Sequence, residues 1–197
     1  MELKGKTILF LGSSVTYGSA ANGESFVDML AEEGCCVVKE AVSGTTLADI
    51  MENSYVARMK QMDKEISADL FVCQLSTNDA SRKIPLGEMD EKMDVATVAG
   101  AIEYIIRYAK ETWNCPVAFY TNPRYESEDY AKMVALIKAF EEKGEIGLVD
   151  LWSNAEFNDL SEAQRKVFLA DPIHPTREGY REWWLPVFRT ELGRMCK

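Results

Sequence analysis

The one histidine of this 197-residue chain, His174, stands three residues after an aspartate in the stretch ADPIHPTREGY, residues 170–180. Asp followed by Pro favours a turn that folds the fourth residue back toward the first. Asp171 can then accept a hydrogen bond from one imidazole nitrogen while the other faces outward, which holds the tautomer a general base needs. Thr176 is placed to cap the helix that follows. The plain alternative is that His174 is a turn residue bonded to its neighbour, because short motifs of this kind recur by accident. A base needs a nucleophile, and the stretch ILFLGSSVTYGSAANG, residues 8–23, breaks from an apolar run into glycine and two adjacent serines. Such a turn either cradles a phosphate or presents a serine, and on its own it does not say which.

Acyl transfer also requires donors for a developing oxyanion. Ser14 could supply both a hydroxyl and a backbone N–H. Gly44, in AVSGTT, offers a backbone N–H that no side chain shields. Asn78, in STND, offers a side-chain amide.

Elements that could position these groups alternate along the chain. Apolar, β-rich runs at 6–12, 35–41, 68–76, 115–122 and 146–152 are predicted strands, and 68–76 is apolar enough to be buried on both faces. Amphipathic stretches at 24–34, 46–62, 95–112, 128–144 and 176–195 are predicted helices, with Pro186 expected to kink or end the last. Strand followed by helix, five times over, implies a five-stranded parallel sheet covered on both faces. In such a sheet ligands bind at the loops after the carboxyl ends of the strands, where strand order reverses. GSSVTYG, AVSGTT, STND and TNPRY all fall there. No linker or repeat divides residues 1–197, so a single domain is expected.

Composition narrows the partners. Asp and Glu number 32 against 22 Lys and Arg, a formal net charge of −10. That balance disfavours nucleic acid and anionic membrane. No run is long enough to span a bilayer, and the N-terminal apolar run lacks a cleavage pattern, so a cytoplasmic protein is expected. Five cysteines, with no C-x-x-C pair, read as free thiols in a reduced compartment. With one histidine and scattered thiols, no metal site is expected.

In order along the chain, GSSVT, SGTT, STND and DPIHP resemble the four blocks of the SGNH hydrolase superfamily, also called the GDSL-like lipase/acylhydrolase family. The resemblance spans residues 12–174. It implies a flavodoxin-like three-layer α/β/α sandwich and no cofactor. It also implies Ser14 as nucleophile, His174 as base, Asp171 as its partner, and an oxyanion hole formed by Ser14, Gly44 and Asn78. Two positions depart from the pattern. Ser13 replaces the usual aspartate of the first block, and Ser76 the usual glycine of the third. These changes bear on the hydrogen bonding of the nucleophile loop and on the room beside Asn78.

Around these blocks, Asp79 is expected to accept hydrogen bonds structurally. Arg82, Arg124 and Tyr125 are candidate substrate contacts, against the alternative of solvated loop residues. Of Trp183 and Trp184, one is expected in the core and the other partly exposed. Met51, Met59 and Met62 fit helical packing. The expected activity is hydrolysis of a small ester, with a short acyl group such as acetyl and an acetylated sugar among the candidate substrates. The rival readings are a non-catalytic binding module on the same scaffold and a flavin- or phosphate-binding flavodoxin-like protein. The last lacks the G-x-x-x-x-G-K-[ST] lysine and the G-x-G-x-x-G spacing.

Overall fold

The strands that carry the site are apolar on alternate residues of both faces, which only a sheet covered on both sides can satisfy. In the computed structural model, which describes residues 3–89 and 92–196, β1 (Thr7–Gly12), β2 (Cys36–Ala41), β3 (Leu70–Gln74), β4 (Val117–Tyr120) and β5 (Gly147–Val149) form one sheet. Its order is β2-β1-β3-β4-β5 and every pairing is parallel. This is the flavodoxin-like order, which reverses between β1 and β3. The two strands at the reversal end at Gly12, immediately before the two serines, and at Gln74, with one residue between it and the STND stretch.

Leu9, Leu11, Phe71, Cys73 and Phe119 face one core layer, built with α3 (Tyr55–Met59), α5 (Val98–Trp113) and α6 (Glu128–Glu142). Ile8, Phe10, Leu70, Val72 and Tyr120 face the other, built with α2 (Phe26–Glu32) and the C-terminal helix. Within that second layer Phe26 stacks on Phe188 at 3.9 Å between ring centroids, and Trp184 stacks on Phe188 at 5.7 Å. A one-residue register slip would exchange the two apolar sets.

Several expected boundaries shift. The predicted helix 46–62 is helical only in α3, because the stretch before it is held by a side chain remote in sequence. The Asp79 carboxylate accepts from Leu47 N–H at 2.7 Å and Ala48 N–H at 2.9 Å. Helix begins only after Ser54, whose hydroxyl accepts from Ala57 N–H. Four short helices were not expected: α1 (Ser14–Tyr17), α4 (Thr77–Ser81), α7 (Ala155–Asn158) and α8 (Glu162–Phe168).

The closing helix has a π-helical segment, Gly179–Trp184, followed by α9, Leu185–Met195. Pro186 sits in the first turn of α9. It has no N–H to give to residue 182, and just upstream the Leu185 N–H reaches five residues back to Tyr180 O. Trp184 and Trp183 are both buried, correcting the expectation of one partly exposed indole. Trp183 stacks on Phe157 and donates its indole N–H to the Phe157 carbonyl.

All five cysteines are free thiols, and only Cys36 is exposed. Burial pushes the thiols of Cys35, Cys115 and Cys196 up to about 11, so they pack as apolar groups. Among the described residues no helix is long and apolar enough to cross a membrane.

Candidate active site

The chain leaves β1 at Gly12, where any side chain would collide with Thr16 and Gln74. Ser13 and Ser14 follow, and α1 begins at Ser14. This turn is fixed from below by Gln74, the last residue of β3. The Gln74 Oε1 accepts from Ser13 N–H at 2.9 Å and from the Thr16 hydroxyl at 2.8 Å. Because Thr16 spends its proton on Gln74, the Tyr120 hydroxyl, 2.6 Å from Thr16 Oγ1, is the donor in that pair. On the other side, the Tyr180 hydroxyl donates to Val15 O at 2.7 Å. Ser14 is thereby presented on a turn gripped by β3, β4 and the closing helix.

The histidine loop folds as the Asp–Pro turn suggested. Leu169 bridges Pro175, and Ala170 N–H donates to His174 O at 2.9 Å. One oxygen of Asp171 accepts from the N–H groups of Ile173 and His174, both at 2.8 Å. The other lies 2.7 Å from His174 Nδ1. An ionised carboxylate only accepts, so Nδ1 carries the proton and Nε2 is the free acceptor of the neutral ring. Ser14 Oγ lies 2.8 Å from that Nε2. Partial burial works to raise the Asp171 carboxyl, but the Ile173 N–H, the imidazole and the His174 N–H hold it below the ordinary aspartate value. The loop is tied to the sheet by buried Asn122, whose amide donates to Ile173 O at 3.2 Å. Thr176 Oγ1 accepts from Gly179 N–H, the cap expected from sequence.

Asn78 sits in α4, directly after β3. Ser76, the departure from glycine, is the N-cap of this helix and accepts from Asn78 N–H at 3.2 Å. The Asn78 amide donates to Ser13 Oγ at 3.1 Å and to Thr45 O at 3.0 Å. Gly44 is in the left-handed region at φ +79°, with open space where a Cβ would project. Its carbonyl accepts from Arg82 Nη2 at 3.4 Å, so this arginine lies beside the glycine turn. Asp79 points away, into the 47–48 backbone, and burial raises its carboxyl despite those hydrogen bonds.

The structure thus brings together Ser14, His174 and Asp171 in one hydrogen-bonded series, with Asn78 against Ser13 and Arg82 against Gly44. Arg124 lies one loop away. Its N–H is bound by Asn158 Oδ1, and it lines a cavity of about 160 Å³ with Tyr125, Arg165, Pro172 and Trp183. Tyr125 packs against Tyr130 and Trp152, at ring centroid separations of 5.2 and 5.6 Å. Sequence reasoning passed over Gln74, Thr45 and Arg58. Gln74 carried a signal, as the single polar side chain in the strand LFVCQ, and Thr45 stood inside the SGTT block; Arg58 carried none. Among the described residues no group of three His, Cys, Asp or Glu could hold a metal ion.

A hydroxyl, an imidazole and a carboxylate in series, at the reversal point of a flavodoxin-like sheet, define the class as an ester hydrolase of the SGNH type. The chain belongs to the GDSL-like lipase/acylhydrolase family, matching it over residues 10–182. Solved structures share the fold. A protein from Lactobacillus plantarum has a TM-score of 0.79 at 20% identity, covering 97% of this chain and 98% of its own. An acetyl-xylooligosaccharide esterase variant from Geobacillus Stearmophilus has a TM-score of 0.68 at 20% identity, covering 98% and 97%. A carbohydrate acetylesterase family member from Sinorhizobium meliloti has a TM-score of 0.63 at 18% identity, covering 95% and 99%. No curated protein sequence matches the chain.

Proposed function

We propose that this chain is a serine esterase acting on a small ester, with acetyl or another short acyl group and a sugar as a candidate alcohol. The observation that carries the reading is the 2.8 Å contact between Ser14 Oγ and His174 Nε2, backed by the Asp171–Nδ1 bond. His174 takes the Ser14 proton as Oγ attacks the ester carbonyl carbon. The carbonyl π electrons move to oxygen, and the resulting oxyanion meets the Ser14 and Gly44 N–H groups and the Asn78 amide. The C–O bond to the alcohol then breaks, and the imidazolium returns its proton to the departing oxygen. Water, deprotonated by the same nitrogen, releases the acid and restores Ser14.

A short acyl group suits the surface, which exposes only Tyr17, Val42, Ile50 and Val167 among large apolar side chains of the described residues. A lipid interface needs a contiguous apolar patch of roughly several hundred square ångströms, and four side chains supply little of it. Arg82, beside Gly44, is the first candidate substrate contact, and Arg124 and Tyr125 stand in the next loop. Commitment of the Ser14 hydroxyl to His174 favours a nucleophile over an anion cradle. The test is p-nitrophenyl acetate hydrolysis by wild type and Ser14→Ala, followed by acetylated sugars and longer esters. Equal rates for the two proteins would end the proposal. One observation favours a non-catalytic module instead, the engagement of both Asn78 amide hydrogens at rest. Fluorophosphonate labelling of Ser14 separates the two readings, since an activated serine reacts and a relic does not.

A further inference from the structure

Arg58 is buried, yet it is far from the histidine relay in sequence and belongs to α3, an element with no catalytic block. Its five N–H groups all have acceptors. Nε donates to Asn53 O at 3.0 Å, and Nη1 to Glu40 O at 3.1 Å and Glu40 Oε1 at 2.9 Å. Nη2 donates to Gly12 O at 2.8 Å and to Thr45 Oγ1 at 3.1 Å. One end of the guanidinium therefore holds the edge of β2, and the other joins the nucleophile turn to the glycine turn.

What Arg58 touches leads directly to the three oxyanion donors. Gly12 O lies at the entrance to the Ser13–Ser14 turn and also accepts from Val42 N–H. Thr45 Oγ1, while accepting from Arg58, donates to Val42 O at 2.7 Å, closing the turn that contains Gly44. Thr45 O accepts from the Asn78 amide at 3.0 Å. A planar fork that satisfies several carbonyls at fixed angles is a task for Arg and not for Lys, whose ammonium is a point charge.

We propose that Arg58, acting through Thr45, is the positioning residue of the oxyanion site, setting the Ser14, Gly44 and Asn78 donors relative to one another. The proposal rests on the serine-esterase reading. Arg58 touches no reacting atom, so its loss should appear in turnover and not in substrate binding, because the donors act mainly on the transition state.

The experiment measures kcat, KM, the acid limb of the pH–rate profile and Tm for Arg58→Lys, Thr45→Val and Thr45→Ser with p-nitrophenyl acetate. Arg58→Lys is expected to lose roughly 10- to 100-fold in kcat with KM changed by no more than about twofold. Thr45→Val should lose about tenfold, and Thr45→Ser, which keeps the hydroxyl, should restore most of it. The acid limb should not move, since the histidine relay is untouched. A folded Arg58→Lys with wild-type kcat, or Thr45→Ser falling as far as Thr45→Val, overturns the proposal. So does a loss that appears in KM alone. If Arg58→Lys does not fold, the Thr45 pair decides. Wild type no faster than Ser14→Ala overturns the esterase reading itself. An active wild type with insensitive Arg58 and Thr45 variants overturns only the positioning role.

Discussion

The side-chain amide of Asn78 donates to the hydroxyl of Ser13 at 3.1 Å, so the residue beside the proposed nucleophile, Ser14, holds one hydrogen of a proposed oxyanion donor. Ser13 is the position where the family pattern has aspartate. In this chain its surroundings are built for a neutral group. Ser13 is fully buried, and its hydroxyl lies 3.4 Å from Gln74 Oε1, an oxygen that can only accept. A carboxylate there would face an acceptor without a proton between them.

Replacing Ser13 by alanine removes the acceptor but leaves Thr45 O to hold the Asn78 amide. The freed hydrogen becomes available to the oxyanion. Ser13→Ala is expected to raise kcat by up to about fivefold, the rate equivalent of ~1 kcal/mol. It should lower stability by about 1 kcal/mol through the lost hydrogen bonds. Steady-state kinetics and urea melts read both, and a kcat that falls tenfold or more would contradict the argument.

The Asp171–His174 bond makes a different demand. Asparagine at 171 can present its amide N–H to Nδ1, which forces the ring proton onto Nε2 and removes the acceptor for Ser14 O–H. Asp171→Asn is expected to lower kcat by about 10³- to 10⁴-fold with a modest change in KM. Stopped assays with p-nitrophenyl acetate measure this directly. Retention of a tenth or more of wild-type turnover would show that the carboxylate does not set the tautomer.

The Asp171–His174 contact was legible in sequence because it is local, whereas the place of Ser14 beside it came only from the family resemblance. Asp171, Pro172 and His174 define their own turn, and Asp171 binds the N–H groups two and three residues on. β1, β3 and β4 were legible for a related reason, since two-sided burial leaves an apolar run that needs no partner to be recognised. The segment 46–54 was not legible. Its periodicity suits a helix, but the Leu47 and Ala48 N–H groups are captured by a carboxylate some thirty residues later. Arg58 was hidden for the same reason, because four of its five acceptors are main-chain carbonyls or a hydroxyl that only the fold brings together. Contacts between a side chain and a distant backbone leave no spacing to read.

Asp79 tests that account. Asp79→Ala strands two N–H groups in a buried site and is expected to cost roughly 2–4 kcal/mol. Asp79→Asn keeps one acceptor and should cost less. Burial raises the Asp79 carboxyl in the folded protein, so the native state holds this proton more tightly than the unfolded chain. Its contribution to stability is therefore complete at acid pH and declines as pH rises through the elevated folded value. Urea midpoints across pH should show the wild-type advantage over Asp79→Asn shrinking as pH rises from about 4 toward neutrality. A gap that widens instead would mean that the carboxylate is better satisfied in the fold than in water.

Gly44 separates a backbone requirement from a steric one. At φ +79° an alanine pays about 1–2 kcal/mol for the left-handed conformation. Apart from its own chain neighbours, no residue comes within 4 Å of where its Cβ would sit, so the protein should still fold. That Cβ projects into open space on the turn whose N–H is assigned to the oxyanion. The strained turn also relaxes most readily by rotating the N–H away. Gly44→Ala is thus expected to melt a few degrees lower, yet to lose on the order of a hundredfold in kcat. Circular dichroism melts and p-nitrophenyl acetate kinetics give the two values from one preparation. Loss of turnover no larger than the change in folded fraction would remove Gly44 from the oxyanion site and leave it a turn residue.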